Sequence, residues 1–412
     1  MMIEYTSFSL PNGLRVVHNY DANTSQCAVN MLYDVGSRDE SPHRTGMAHL
    51  FEHLMFGGSV NVPDFDYAID MASGTNNAFT STDVTCFYDI LPSENIATAL
   101  WAESDRLLSP LLESSLEVQR RVVIEEFKQT CLNKPYGDAG HHLRSLLYES
   151  HPYRWPTIGL TPRHIEQVTP DDIHRFFQAY YSPQRAVLAV SGSVTLDILK
   201  ELANKYFSDI PSRTPAPHPA DNEPPVTSPR RLTVKGKVPQ ARIYIAFHAP
   251  ALLHPDYPTS DIITDILASG RSSRFYRQLV MNSPLFTHAD ACVAGTDHTG
   301  YLLVTAHLAD ASGQSVDRAE KMLWEQLDDF ILNVSDTELQ RALIRFDSNR
   351  TFSHLNFTAK ARELAYCALR QQDINEISTP YQHLTKARIR RIASDIINRQ
   401  RACTLIYLPE NA

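Results

Sequence analysis

Apolar and polar positions along the chain follow two spacings, one typical of helices and one typical of strands. Around residues 45–56, apolar residues recur at i and i+4, for example Leu50 and Leu54, and the pattern ends at Gly57-Gly58. That spacing predicts an amphipathic helix with a glycine stop. The predicted strands cover residues 13–17, 28–33, 77–88 and 186–190, and the predicted helices cover residues 45–56, 96–108 and 114–132. Strands grouped before and after blocks of helices predict an α+β fold and not a doubly wound sheet.

A proline-rich segment divides the chain. Residues 211–231 hold seven of its 25 prolines, interleaved with Ser, Thr, Asp and Asn. Such a segment cannot form a helix or a central strand, so it predicts an extended linker. We therefore expect a first domain at residues 1–210, a linker at residues 211–231 and a second domain at residues 232–412. The length of 412 residues suits two domains of ordinary size.

The two predicted domains share landmarks at nearly the same spacing. Residues 184–186 and 400–402 both read Gln-Arg-Ala and precede an apolar run. Residues 49–54 align with residues 261–266 at almost the same offset. These repeats favour an internal duplication, and chance similarity between short apolar segments is the alternative. The predicted fold is two homologous α/β-sandwich domains, each an antiparallel-rich sheet covered by helices.

Composition and charge exclude several kinds of partner. The chain is 43% hydrophobic and 21% charged, with a formal net charge of -9 and no tract rich in Lys and Arg. Nucleic acid and membranes are therefore not expected partners, and no run approaches the about 18 apolar residues of a membrane helix. The first residues lack the features of a signal peptide, so we expect a cytoplasmic protein, or a periplasmic one if a signal peptide was removed. Six scattered cysteines without a C-x-x-C pair predict free, mostly buried thiols.

Residues 49–53 read His-Leu-Phe-Glu-His, which predicts a zinc site. On a helix, His49 and His53 lie four residues apart on one face, so both imidazoles can bind one metal ion. Glu52 lies on the same face, where it can act as general base on a metal-bound water. This H-x-x-E-H order is the inverzincin signature. The alternative is a buried helix whose two histidines hydrogen-bond to backbone carbonyls.

A catalytic zinc needs a third protein ligand, and the predicted helix at residues 114–132 offers Glu125 and Glu126 in the segment Gln-Arg-Arg-Val-Val-Ile-Glu-Glu-Phe. With this segment, the H-x-x-E-H motif and residues 74–80 (Gly-Thr-Asn-Asn-Ala-Phe-Thr), the chain resembles the pitrilysin family of metallopeptidases. That family includes insulin-degrading enzyme and mitochondrial processing peptidase. The resemblance covers essentially the whole chain.

The resemblance implies one Zn²⁺ per chain with Glu126 as the third ligand. Glu125 is the second choice, because it points about 100° away around the helix. Without the resemblance, a glutamate at this position is more often a solvated charge. Gln119 stands where the family usually has a supporting glutamate. Its amide can hydrogen-bond to a ligand but adds no charge.

The resemblance also implies a substrate-binding strand beside the zinc. Asn77 and Ala78 would lie on an edge strand that pairs with the backbone of an extended peptide. An ordinary strand with a polar start is the alternative. Phe56, just beyond the zinc helix, is a candidate for lining a side-chain pocket, although a core phenylalanine is the better interpretation.

The second half lacks the zinc motif. Asp261, Thr264 and Asp265 replace His49, Glu52 and His53, so we expect no zinc there. Active family members hold the substrate carbonyl with an Arg and a Tyr from a half of this second type. The corresponding positions here are Val280 and Thr287, which cannot do this.

The predicted function is that of a zinc metalloendopeptidase. The resemblance implies that it cleaves peptides or unfolded segments inside a clamshell chamber. The missing Arg and Tyr imply a homodimer, or a heterodimer with a zinc-less homologue that supplies both residues. The alternative is a non-catalytic structural subunit similar to the core proteins of respiratory complexes. A structural zinc protein fits less well, because such a site normally has a fourth Cys or His ligand.

Overall fold

The computed structural model describes residues 2–310 and 312–411. The chain forms two compact units, each with its own sheet. The first unit comprises Met1–Phe127, Pro156–Pro219 and Asn349–Ile377. The second unit comprises Lys128–Trp155, Ala220–Ser348 and Ser378–Ala412.

The first unit contains a six-stranded sheet with the order β1-β2-β6-β3-β5-β4. Its strands are β1 (Thr6–Ser9), β2 (Arg15–Tyr20), β3 (Gln26–Tyr33), β4 (Thr75–Thr80), β5 (Thr85–Pro92) and β6 (Ala186–Gly192). Strands β2 and β6 are parallel, and the other neighbours are antiparallel. The central strands β3 and β6 are apolar on both faces and almost entirely buried, as expected for strands covered on both sides.

The second unit contains a five-stranded sheet with the order β7-β11-β8-β10-β9. Its strands are β7 (Arg230–Gly236), β8 (Arg242–Ala249), β9 (Phe286–Ala294), β10 (Gly300–Leu308) and β11 (Cys403–Pro409). Here β7 and β11 are parallel and the remaining pairs are antiparallel. The same order and directions occur in β2-β6-β3-β5-β4 of the first sheet. This match confirms the predicted α+β fold of two duplicated domains.

Helices pack around both sheets. They are α1 (Met47–Met55), α2 (Phe65–Met71), α3 (Ile96–Leu108), α4 (Leu112–Phe127), α5 (Ala139–Leu147), α6 (Pro162–Glu166), α7 (Pro170–Tyr180), α8 (Leu196–Phe207), α9 (Tyr257–Ala268), α10 (Gly313–Asn333), α11 (Asp336–His354), α12 (Phe357–Leu369), α13 (Thr379–Gln382) and α14 (Lys386–Ile396). Helices α1, α3 and α4 confirm the three predicted helices, and α4 continues as a π-helical turn at Lys128–Leu132.

The prediction of one strand over residues 77–88 was wrong, because this region is a hairpin of β4 and β5. The Ser81 amide donates to the Val84 carbonyl at 2.8 Å. The Ser81 hydroxyl accepts from the Asp83 and Val84 amides at 3.2 and 3.0 Å. A serine side chain therefore stabilises a turn that has neither Gly nor Pro to mark it in the sequence.

Each compact unit is built from three separate segments of the chain. The predicted division at residues 211–231 instead assigns one continuous segment to each domain. Helix α5 precedes the proline-rich segment but packs on β7, β8 and β11 of the second unit. Helix α12 comes late in the chain but packs on β2, β3 and β6 of the first unit. Long-range packing of apolar faces decides these memberships, and the sequence order does not reveal it.

Two further properties concern the chain as a whole. All six cysteines are free thiols, and only Cys292 is exposed, which confirms the predicted thiol state. Among the helices of the described residues, none combines the length and the apolar character that crossing a bilayer requires.

Candidate metal centre

Helix α1 begins at a glycine in the left-handed conformation. Gly46 has φ 86°, and a Cβ there would lie 2.9 Å from the Ile158 carbonyl oxygen, so both the backbone and the space favour glycine. The buried Glu40 carboxylate accepts hydrogen bonds from the amides of Gly46 and Ala48, each at 2.8 Å. A negative group at a helix N-terminus satisfies free amides and stabilises the helix dipole.

The two faces of α1 have different roles. Leu50, Phe51 and Leu54 are fully buried and fix the rotation of the helix. His49 and His53 are on the opposite face and are half-buried, with ring centroids 4.8 Å apart. The i,i+4 spacing thus places the two imidazoles side by side.

Helix α4 lies against α1 and supplies the carboxylate. Its buried residues Leu112, Leu116 and Val123 belong to the core of the first unit. Glu126 and Gln119, seven residues apart and therefore on one face, are half-buried beside the histidines. Glu125 is exposed on another face of the helix and is not part of the cluster.

The histidines and Glu126 converge to metal-binding distances. The Glu126 Oε2 atom lies 3.6 Å from Nε2 of His49 and 3.4 Å from Nε2 of His53. Tetrahedral zinc with bonds of about 2.0–2.1 Å places its ligand atoms about 3.3 Å apart. Two imidazole nitrogens and one carboxylate oxygen are ligands that zinc prefers, so these three residues fit a zinc ion. The buried Nδ1 atom of His49 has no hydrogen-bond partner among the described residues.

The three side chains are electrostatically different. Burial lowers the pKa of His49 to about 4, against the attraction of Glu126. Burial also disfavours the charged form of His53, but hydrogen bonds to Glu126 and Gln119 outweigh it, so the pKa of His53 is raised. The hydrogen bond with His53 lowers the pKa of Glu126. Without metal, a proton shared between His53 and Glu126 therefore competes with the ion for these ligands.

Glu52 lies beside the cluster and is hydrogen-bonded by a residue that the sequence did not single out. The Thr80 hydroxyl, on β4, donates to Glu52 Oε2 at 2.5 Å. Burial raises the pKa of Glu52, while the Thr80 hydrogen bond and His53 oppose the rise. A carboxylate with a raised pKa is a stronger proton acceptor, as a general base requires. Thr80 is the last residue of the 74–80 motif, and this position was the only feature of the sequence that pointed to a role for it.

Strand β4 forms the edge of the first sheet, because it pairs only with β5 in the strand order. Asn77 is exposed and Ala78 is half-buried on this edge. The Ala78 amide donates to Asn77 Oδ1 at 2.8 Å. The strand therefore has the exposed edge that the substrate prediction requires, and the roles of Asn77 and Ala78 in substrate binding stay predictions.

Phe56 follows α1, and its ring packs against the guanidinium group of buried Arg106. The Arg106 guanidinium carbon lies 3.7, 4.3 and 5.1 Å from the ring centroids of Phe65, Phe87 and Phe56. Arg106 also pairs with buried Glu103 at 3.2 Å. Phe56 remains half-buried, so it is packed on one side and accessible on the other. Its role in a substrate pocket stays a prediction.

The matching helix of the second unit, α9, carries different contacts. Asp261 accepts a hydrogen bond from the Tyr381 hydroxyl at 2.9 Å, and burial raises its pKa. Asp265 lies 3.6 Å from the Arg345 guanidinium. These two aspartates therefore make structural contacts in the second unit.

The positions expected for a substrate-binding Arg and Tyr are also structural. Val280 packs against the core of the second unit, and the exposed Thr287 hydroxyl donates to the His307 carbonyl at 3.3 Å. Nearby Arg274 donates to Glu338 at 2.6 and 2.9 Å and to Asp329 at 2.6 Å. Its guanidinium is therefore held inside the second unit.

Two duplicated α/β units, one of which carries an H-x-x-E-H helix, define the class of two-domain metallopeptidase folds. Residues 15–158 match the family model described as insulinase (peptidase family M16), and residues 167–346 match that of the peptidase M16 inactive domain. The chain belongs to peptidase family M16, the pitrilysin family. The resemblance that the motifs predicted is thereby confirmed.

Named relatives include both proteases and subunits of a complex. The zinc protease PqqE of Helicobacter pylori is 28% identical over 422 residues, covering 98% of this chain and 93% of the relative. The crystal structure of a protease from Helicobacter pylori has a TM-score of 0.93 at 25% identity, covering 99% of this chain and 100% of that one. The ubiquinol-cytochrome-c reductase complex core protein I of Euglena gracilis is 28% identical over 267 residues, covering 63% of this chain and 52% of the relative.

Proposed function

We propose that this chain is a zinc-dependent endopeptidase in which His49, His53 and Glu126 bind one zinc ion. The convergence of these three side chains within 4.8 Å carries the proposal. Glu52 lies on the same helix face with a raised pKa, as a general base would. Near full-length similarity to a zinc protease supports the same activity.

The chemistry divides between the ion and the chain. A zinc ion in such a site would supply Lewis acidity, which lowers the pKa of a bound water to about 7 and polarises a substrate carbonyl. Glu52 accepts the proton of the attacking water and returns it to the leaving amine. Thr80 orients the Glu52 carboxylate through its hydrogen bond. Gln119 supports the metal ligands by hydrogen-bonding to His53.

The substrates are peptides or unfolded segments that bind in extended form. An edge strand such as β4 recognises backbone groups, so affinity depends little on sequence. A peptide strand beside Ala78 would replace the hydrogen bond between its amide and Asn77. Phe56, with one accessible side, would contact a substrate side chain close to the cleaved bond.

We further propose that full activity needs a second chain. Val280 and Thr287 cannot stabilise a developing oxyanion, and Arg274 is engaged by Glu338 and Asp329. A second copy or a zinc-less homologue would supply the Arg and Tyr. Weak peptidase activity of the isolated chain that rises sharply with a partner would support this. Strong activity of a monomer would contradict it.

The second candidate function is that of a non-catalytic structural subunit. It is favoured by the similarity to a core protein of a respiratory complex. Loss of zinc ligands would be expected in such a subunit, yet here the three ligands and the base are all present and close together. We therefore rank it second.

Glu52→Gln separates the two functions. The variant should keep zinc bound at His49, His53 and Glu126 and lose at least about 100-fold in peptide hydrolysis, because general-base catalysis contributes roughly 10²–10⁴-fold. Wild-type protein is incubated with a mixed peptide library with and without chelator, and zinc is measured by mass spectrometry. Glu125→Gln, an exposed neighbour of the site, is the matched control. Hydrolysis that survives both chelation and Glu52→Gln would contradict the peptidase proposal.

A further inference from the structure

The second unit contains another group of metal-ligand side chains. His151, Asp221 and His298 each place a nitrogen or a carboxylate oxygen within 4.8 Å of the others. His151 is buried, His298 is half-buried and Asp221 is exposed. No residue of the H-x-x-E-H motif belongs to this group, so it is a site separate from the one described above.

Three distant segments meet at this cluster. His151 precedes the short 3-10 turn Pro152–Arg154, and His298 lies in the loop between β9 and β10. Asp221 comes from the proline-rich segment ahead of β7. An ion bound here would join these three segments within the second unit, as structural metal sites do in domains with long loops.

Neighbouring groups hold the three side chains in place. Asp221 Oδ2 accepts hydrogen bonds from the Thr299 amide and hydroxyl at 3.0 and 3.1 Å. The His298 amide donates to the Tyr153 hydroxyl at 3.2 Å. The Glu223 carboxylate accepts from the amides of residues 149, 150 and 151 at 2.7, 3.0 and 2.8 Å. Orientation of metal ligands by such outer contacts is a common property of metal sites.

The two imidazoles already face each other. His151 Nε2 lies 2.8 Å from His298 Nδ1, and the Tyr153 amide donates to His151 Nδ1 at 3.1 Å. In the neutral ring this places the His151 proton on Nε2, which then donates to His298. A metal ion between the rings would replace the proton on His151 Nε2. The neutral His151 ring would then carry its proton on Nδ1, and this nitrogen could no longer accept the hydrogen bond from the Tyr153 amide. The rings would also separate slightly, because zinc ligands lie about 3.3 Å apart.

We propose that His151, Asp221 and His298 form a second metal site that binds zinc and stabilises the second unit. Two imidazoles and one carboxylate match zinc and other late first-row metals better than magnesium or calcium, which prefer oxygen ligands. Glu223 is engaged by three backbone amides and so is not available as a base. Three protein ligands leave the fourth position of a tetrahedral ion to water, and without a base to activate that water the bound ion would stabilise the second unit without catalysis. The site does not depend on peptidase activity.

The test measures zinc binding by full-length, tag-free protein in a His49→Gln, His53→Gln background, which removes the first site. We expect this protein to bind about one zinc ion per chain and to melt at a higher temperature with zinc than with chelator. Adding His298→Gln should weaken zinc binding at least tenfold and abolish the thermal shift. Zinc binding that is absent from the background protein, or unchanged by His298→Gln, would overturn the proposal.

Controls distinguish this site from adventitious binding. Asp221→Asn keeps an acceptor for Thr299 but removes the anionic ligand. Added to the background protein with His298 intact, it should also weaken zinc binding. His383→Gln removes an exposed histidine elsewhere in the second unit and should change nothing. Cobalt spectra should lack a thiolate charge-transfer band, which excludes the exposed Cys292. If the background protein fails to fold, zinc stoichiometry of wild type against His298→Gln answers the same question, with about two ions expected to fall to one.

Discussion

The Thr80 hydroxyl donates a hydrogen bond to Glu52 Oε2 at 2.5 Å and so connects the edge strand β4 to helix α1. β4 is both the proposed substrate strand and the support of the proposed base. Substrate binding along β4 and the orientation of Glu52 are therefore coupled through one side chain. Thr80 is a positioning residue, because it acts through Glu52.

Thr80→Val should change the pH dependence of hydrolysis. The Thr80 hydrogen bond lowers the pKa of Glu52 against the effect of burial, so its removal raises that pKa further. Glu52 must be ionised to accept a proton, and the acid limb of the kcat/KM profile should therefore move to higher pH. A hydrogen bond to a charged group contributes about 1.5–3 kcal/mol, so activity on the acid limb, well below the pKa of Glu52, should fall at least roughly tenfold. Thr80→Ser should retain the wild-type profile, and an unshifted profile in Thr80→Val would disprove the coupling.

Gln119 and Glu126 should contribute to zinc affinity to different extents. Glu126→Gln removes a ligand and a charge, so we expect zinc affinity to fall by well over 100-fold. Gln119→Ala removes only a supporting hydrogen bond and should weaken binding by roughly 10–100-fold. Competition with a chromogenic chelator measures both. Gln119→Glu adds a negative charge beside the ligands and should bind zinc more tightly than wild type. Equal affinities for all four proteins would contradict the assigned ligand set.

Local patterns predicted the parts of the site that lie within one helix. The four-residue spacing of His49 and His53 determines a shared helix face, so their proximity follows from helix geometry alone. Glu126 lies on a different helix, and its choice over Glu125 needed the resemblance to a family. Thr80 was missed, because no sequence spacing reveals which residue of β4 faces α1.

The fold was predictable to a similar extent. The spacing of apolar residues identified the helices α1, α3 and α4, and a short, largely apolar run identified the buried strand β3. The hairpin of β4 and β5 was missed, because its turn depends on the Ser81 hydroxyl and not on Gly or Pro. The membership of α5 and α12 in their units depends on packing between residues far apart in sequence, which a single sequence does not encode in any readable pattern.

Glu40→Ala should destabilise helix α1. The mutation leaves the Gly46 and Ala48 amides without their buried acceptor, which costs about 1–3 kcal/mol. We expect a decrease of several degrees in melting temperature and weaker zinc binding, because α1 carries two of the proposed zinc ligands. Glu40→Gln retains one acceptor oxygen and should give an intermediate effect. A Glu40→Ala protein as stable as wild type would show that water replaces the carboxylate without loss.

The proline-rich segment contacts other parts of the first unit through His218. His218 Nδ1 lies 2.6 Å from Asp39, and its Nε2 lies 3.0 Å from Asp34. Burial disfavours the charged imidazole, but the two carboxylates outweigh burial and the nearby Arg38, so the pKa of His218 is raised. Burial raises the pKa of Asp34, but the hydrogen bond from His218 and the charges of His218, Arg38 and Arg185 lower it overall.

His218→Gln should therefore destabilise the protein in a pH-dependent way. A histidine whose pKa is raised on folding stabilises fully below its unfolded pKa of about 6.5, and this contribution is lost as pH rises through the folded pKa. Asp34 adds stability that is lost only as pH falls through its lowered pKa. Denaturant titrations should show a difference of about 1 kcal/mol between wild type and variant near pH 5.5, since the site is partly exposed, and a smaller one at pH 9. The exposed His43→Gln is the matched control, and a difference that grows towards pH 9 would mean that neutral His218 is the stabilising form.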